Sequence, residues 1–123
     1  MTPKCAALAL ALALGLSGGG AGAQDVAIAP GAQLRGLDKI NGDAIDMTLA
    51  AGETATLGNL DVTLGECRYP AGDAASDAFA YLTIRDPRSD QPVFEGWMIA
   101  SSPALNAMEH RRYDVWVLRC KTD

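Results

Sequence analysis

The chain has 123 residues, of which 10 are Lys or Arg and 15 are Asp or Glu, giving a net charge of −5. That length holds one small domain with one core. The acidic balance excludes a surface for nucleic acid or for anionic lipid headgroups, because both need clustered Lys and Arg to displace counterions.

Residues 1–23 have the layout of a secretory signal peptide. Lys4 supplies a basic start, Ala6 to Leu16 is apolar, Ser17-Gly18-Gly19-Gly20 breaks the helix, and Ala21-Gly22-Ala23 is a small-residue cleavage site before Gln24. The apolar run falls well short of the roughly 20 residues that span a bilayer, so no stable membrane anchor is expected after cleavage. Cys5 precedes that run and is no acylation site. The expectation is a soluble periplasmic protein cut after Ala23. Loss of Cys5 leaves Cys67 and Cys120, and two cysteines in an exported chain predict a disulfide. It would close a loop of about 53 residues, which the chain-entropy model values at about 4 kcal/mol. A redox pair is the alternative, but no Cys-x-x-Cys is present to lower a thiol pKa.

Residues 24–33 are small and punctuated by Pro30 and Gly31, and are expected to be a flexible leader rather than an edge strand. The domain is then 34–123. Leu37 to Ile40 predicts a short strand, and Asn41-Gly42 a hairpin turn with both positions at positive φ. Ile45, Met47 and Leu49 share one face of the next strand, Ala51-Gly52-Glu53 turns the chain, and Thr54 to Leu57 begins another strand before Gly58-Asn59. Leu60, Val62 and Leu64 alternate with Asp61 and Thr63. Continued alternation would put Cys67 on the solvent face. A β-bulge at Gly65-Glu66 adds one residue and turns Cys67 inward.

Residues 68–77 are polar and small and are expected to form an exposed loop. Ala78 to Arg85 predicts a strand with Ala78, Ala80, Leu82 and Ile84 on one face and Phe79, Tyr81 and Thr83 on the other. Asp86 to Pro92 is a second loop, and Val93 to Ala100 another two-sided strand. Ser102-Pro103 predicts a helix start, with Leu105 and Met108 on its buried side and His110-Arg111-Arg112 at its C-terminus. Tyr113 to Cys120 closes the chain as a strand, with Trp116, Leu118 and Cys120 opposite Tyr113, Val115 and Val117. The fold class expected is mostly β: a small antiparallel β-sandwich or barrel of about seven short strands, with one short helix near the C-terminus and one disulfide.

Several segments together resemble a bacterial family known as domain-of-unknown-function family 2155, small exported proteins of Gram-negative bacteria. They are Phe94-x-Gly96-Trp97-Met98-x-Ala100-Ser101-Ser102-Pro103-Ala104-Leu105, Glu109-His110 and Tyr113-Asp114-Val115-Trp116-Val117-x-x-Cys120, with Leu37-Asp38-Lys39, Gly58-x-Leu60 and Cys67 upstream. The likeness covers most of the mature chain. The family often carries Pro after the His where this chain has Arg111, a departure confined to the turn. The resemblance implies export and a Cys67–Cys120 pairing, and carries no activity.

Four chemistries are open to the C-terminal segment and the aromatic residues around it. Ser101 or Ser102 with His110 and Asp114 supplies the residue types of a hydrolytic triad, but no Gly-x-Ser-x-Gly elbow or oxyanion loop accompanies them. Glu109, His110 and Asp114 could form a metal triad, although Glu109 and His110 point apart on a helix. The hydroxyls of Ser101 and Ser102 at a helix start could bind an anion, with plain capping as the alternative. Tyr81, Phe94, Trp97, Tyr113 and Trp116 could line a cleft for glycan or peptide, with Trp116 more readily placed in the core. No cofactor or metal is expected. The leading expectation is a non-catalytic domain that binds an envelope protein partner through the segment after Trp97 or an exposed sheet edge, using Trp97, Ser101, Ser102, His110, Tyr113 and Asp114. A small-ligand or cell-wall glycan binder on Trp97 and Tyr113, and a hydrolase on His110, are the alternatives.

Overall fold

The computed structural model describes residues 25–123; the expected signal peptide lies outside them. Eight strands run in chain order: β1 (Val26–Ala29), β2 (Gly31–Asp38), β3 (Ala44–Ala50), β4 (Thr54–Leu57), β5 (Leu60–Pro70), β6 (Phe79–Arg85), β7 (Pro92–Ile99) and β8 (Tyr113–Lys121). All their pairings are antiparallel. One sheet has the order β1-β5-β6-β7, with β4 also on β5, and the other is β3-β2-β8. Strands β1 and β4 share one edge of β5, β1 along Cys67–Pro70 and β4 along Leu60–Thr63.

The inner faces of both sheets meet in one core that is almost wholly aliphatic. Leu34, Leu57, Leu60, Val62, Leu64, Leu82, Ile84 and Val115 are its largest fully enclosed hydrocarbon side chains. Each such burial contributes about 1.5–3 kcal/mol, so the period-2 alternation of β6, and of β5 as far as Leu64, is what holds the sheets together.

The disulfide forms between β5 and β8, linking the two sheets, with Cα atoms 5.7 Å apart. Two bulges make it possible. On β5 the register slips between Leu64 and Glu66, so Gly65 is the extra residue and Cys67 faces the core beside Leu64. On β8 the pairing passes from Val117 opposite Leu34 to Arg119 opposite Gln33, leaving Leu118 as the extra residue. That second slip, which the alternation on β8 did not reveal, puts Cys120 on the same face as Tyr113, Val115 and Val117. It corrects the expected grouping of Trp116 and Leu118 with Cys120. Trp116 is half-buried on the outer face.

Four further expectations change. The leader expected over 24–33 is paired chain from Val26: β1 lies on one sheet and β2 begins on the other, with Pro30 at the crossing. Local composition is weak there because pairing with β5 and β3, not propensity, orders it. The loop expected from Arg68 begins only after Pro70, since β1 pairs Arg68, Tyr69 and Pro70. Finally, no helix forms among the described residues. Residues 103–106 form a turn, with one closing bond from Leu105 N–H to Ser102 O, and 107–109 are irregular. A segment so short does not nucleate a helix without packing along one side. Here Met108 is buried but Leu105 is 72% exposed, and the Asn106 amide donates to Trp97 O at 2.8 Å instead. The β2–β3 hairpin likewise closes through residues 39–43 with positive φ at Gly42 alone, not through a two-residue turn.

Candidate functional site

Two-sided alternation on β5, β6 and β7 gives the larger sheet an outer face with its own residues. Across four strands, Ile28, Arg68, Phe79 and Ile99 stand opposite one another in a row. The adjoining row is Glu66, Tyr81 and Trp97. Trp97 meets the edge of the Tyr81 ring at 5.3 Å between centroids, and the Arg68 guanidinium lies 5.0 Å from the centre of the Trp97 ring. Arg68 also binds Glu66 through two contacts, 2.8 and 3.2 Å. That pairing holds the Glu66 carboxyl below its usual range. The Tyr81 hydroxyl donates to Glu95 at 3.0 Å, which pushes the phenol's pKa up. The charges on this face are thus matched, and what it offers is apolar. Val26, Arg68, Phe79, Trp97 and Ile99 line an open depression of about 260 Å3, beside which Ile28 is 66% exposed.

Trp97 is therefore where a binding residue is useful, but the other expected residues are not gathered around it. Ser101 is tied to Asp77: its N–H donates to Oδ1 at 3.0 Å and its hydroxyl to Oδ2 at 2.7 Å. A carboxylate occupies the place where an anion would have bound. Ser102 closes turns on either side through its main chain. His110 Nδ1 accepts the N–H groups of Arg112 and Tyr113 at 3.0 and 3.1 Å, which puts the neutral ring's proton on Nε2. Neither ring nitrogen of that tautomer offers a free lone pair to a serine. Asp114 accepts from its neighbour's N–H, Val115, at 2.9 Å and makes no bond to His110. The structure does not assemble Ser101, Ser102, His110 and Asp114 into a triad, and no group of three His, Cys, Asp or Glu side chains among the described residues is placed to hold a metal. Tyr113 is buried, with its hydroxyl against Gly58 and its ring under Arg112, 5.2 Å away, so it belongs to the core. Asp38, at the end of β2, receives the same Arg112 guanidinium through contacts of 3.2, 3.2 and 2.8 Å, which lowers its pKa.

Sequence reasoning missed Arg68, Phe79, Ile99 and Val26 as companions of Trp97. Phe79 could have been found from the second apolar face of β6. Arg68 and Val26 could not, because each had been assigned to irregular chain.

The features define a disulfide-linked all-β domain that carries most of its large aromatic residues outside its core. The chain belongs to a family described as "Uncharacterized protein conserved in bacteria (DUF2155)", whose model matches residues 32–120. It is also similar to an uncharacterised protein of Rickettsia prowazekii (strain Madrid E), 30% identical over 87 residues. The match covers 68% of this chain and 56% of that relative, so the chain spans little more than half the relative's length. No solved structure matches.

Proposed function

We propose that the chain is an exported, non-catalytic domain that binds a protein of the bacterial envelope through the outer face around Trp97. One observation carries the reading. Tyr113 is the only aromatic side chain buried in the core among the described residues, while Trp97, Tyr81 and Phe79 stand together on an outer face with Arg68 and Ile99. Burying large aromatic side chains is the most effective way to stabilise a small core. A chain that leaves them outside gains instead a cluster of Trp, Tyr and Arg, the residue types that dominate protein–protein contacts. The depression is shallow and open, which suits an apolar side chain on a partner surface better than an enclosed small molecule. Arg68 covers the Trp97 ring, which disfavours stacking of a sugar there. The disulfide supports an oxidising compartment, and with it the signal-peptide reading of residues 1–23.

The test is site-specific photocrosslinking in a bacterial envelope. A benzophenone side chain at Phe79 or Ile99 is expected to yield one protein adduct that Trp97→Ala removes, while the same probe at Ile45, on the other sheet, yields none. Equal adducts from Ile45, or none from either face, would refute the assignment.

A further inference from the structure

The second tryptophan marks a different place. On the outer face of the smaller sheet, Asp114 and Trp116 are two residues apart on β8 and so lie side by side, about 6.5 Å apart along the strand. With Val115 they form one wall of a cleft of about 340 Å3, and Pro103, Ala104 and Ala107 of the turn segment form the other. We infer that this cleft is a recognition pocket for a lysine or arginine side chain carried on an extended segment of a partner protein.

Three observations carry it. First, the cleft combines one aromatic surface, one carboxylate and a wall of small apolar groups, which is the chemistry that holds a cation on an alkyl stem. Second, neither cation-binding group has a cationic partner among the described residues. Trp97 is covered by Arg68, but no cation lies over Trp116 among the described residues. The basic residue paired across from Trp116 is Arg35, which is drawn the other way, onto Asp46 of β3, through contacts of 2.6 and 3.0 Å. Asp114 forms no ion pair among the described residues; one oxygen accepts the Val115 N–H and the other is open. The net charge of −5 adds a favourable field for a basic partner.

Third, the cleft runs beside a strand edge. β8 is the last strand of its sheet, and Lys39 N–H donates to Arg112 O at 2.7 Å just before it begins. Antiparallel alternation then turns the main-chain groups of Tyr113, Val115 and Val117 away from β2. The Tyr113 and Val115 N–H groups on that edge are capped by His110 Nδ1 and the Asp114 carboxylate. The carbonyls of Tyr113 and Val115 remain as acceptors on this edge, and an extended segment that donates to them delivers a side chain into the cleft.

The test uses the full-length, disulfide-bonded, 15N-labelled protein, with the two indole N–H signals assigned by Trp97→Phe. The probes are the capped tripeptides acetyl-Gly-Lys-Gly-amide and acetyl-Gly-Arg-Gly-amide, the norleucine analogue as a neutral isostere, and spermidine as a cation without a peptide. A basic tripeptide is expected to shift the Trp116 indole and the Val115 amide saturably, at least ten-fold more tightly than the norleucine peptide, and more weakly as salt rises. Asp114→Asn keeps an acceptor for the Val115 N–H and is expected to weaken binding at least ten-fold. Should that variant lose its native spectrum, Trp116→Leu supplies the same comparison. Equal binding of the norleucine peptide, or movement of the Trp97 indole alone, overturns the proposal. Spermidine binding as tightly as the peptides overturns the peptide assignment. Failure here is distinguishable from failure of the Trp97 reading, since Trp97→Ala leaves this cleft intact and Asp114→Asn leaves the Trp97 face intact.

Discussion

Replacing both cysteines, Cys67→Ala with Cys120→Ala, removes the one disulfide cross-link among the described residues, which joins the two sheets. The two positions are separated by 53 residues, and closing a loop of that length lowers the entropy of the unfolded chain by about 4 kcal/mol. Both sulfurs are buried, so alanine also leaves a small cavity worth about 1 kcal/mol more. The expected loss is about 4–5 kcal/mol, out of a total of about 5–15 kcal/mol for an ordinary domain. With a urea slope of about 1–1.5 kcal/mol per molar for a chain of this size, the midpoint falls by about 3–5 M. The assay is equilibrium urea unfolding by far-ultraviolet circular dichroism on the oxidised protein, the reduced protein and the double variant. Reduced protein and double variant should agree to about 1 kcal/mol, because they share an unconstrained unfolded state. A loss below about 1 kcal/mol in the double variant would show that the tie does not limit the unfolded chain, and the entropic argument would fail.

Deleting Gly65 is expected to leave the disulfide intact, because Leu64 and Cys67 then stand on the core face with Glu66 alone between them, as in a regular strand; two reactive thiols in the folded variant would contradict this. Asp38→Asn is expected to lower the thermal midpoint at neutral pH. The Asp38 carboxyl is depressed by Arg112, so its contribution is present above the unfolded value near 4 and is lost as pH falls towards the folded one. The gap between wild type and variant should therefore close below about pH 4. Asp86, held at about 2 by Arg88, weakens in the same range but does so equally in both proteins. A gap independent of pH between 7 and 2 would refute the Asp38 account.

The residues themselves determined the period-2 strands, the antiparallel class, the pairing of Cys67 with Cys120 and the bulge at Gly65. Each follows from local alternation or from the count of cysteines, and alternation is a property of neighbours along the chain. The tertiary structure alone decided the order of β1 and β2, the absence of a helix at 103–109 and the outward placement of Trp116. Val26–Ala29 has no pattern of its own and is ordered by the edge of β5 that it meets. The 103–109 segment carried helix signals, but its polar atoms found partners on β7, as when Asn106 took the Trp97 carbonyl. Trp116 followed the bulge at Leu118, which exists because β8 must satisfy both β2 and the sulfur of Cys67. The site was legible at Trp97 and Tyr81 alone, since its two rows are assembled across β1, β5, β6 and β7 and no spacing along one strand can display them.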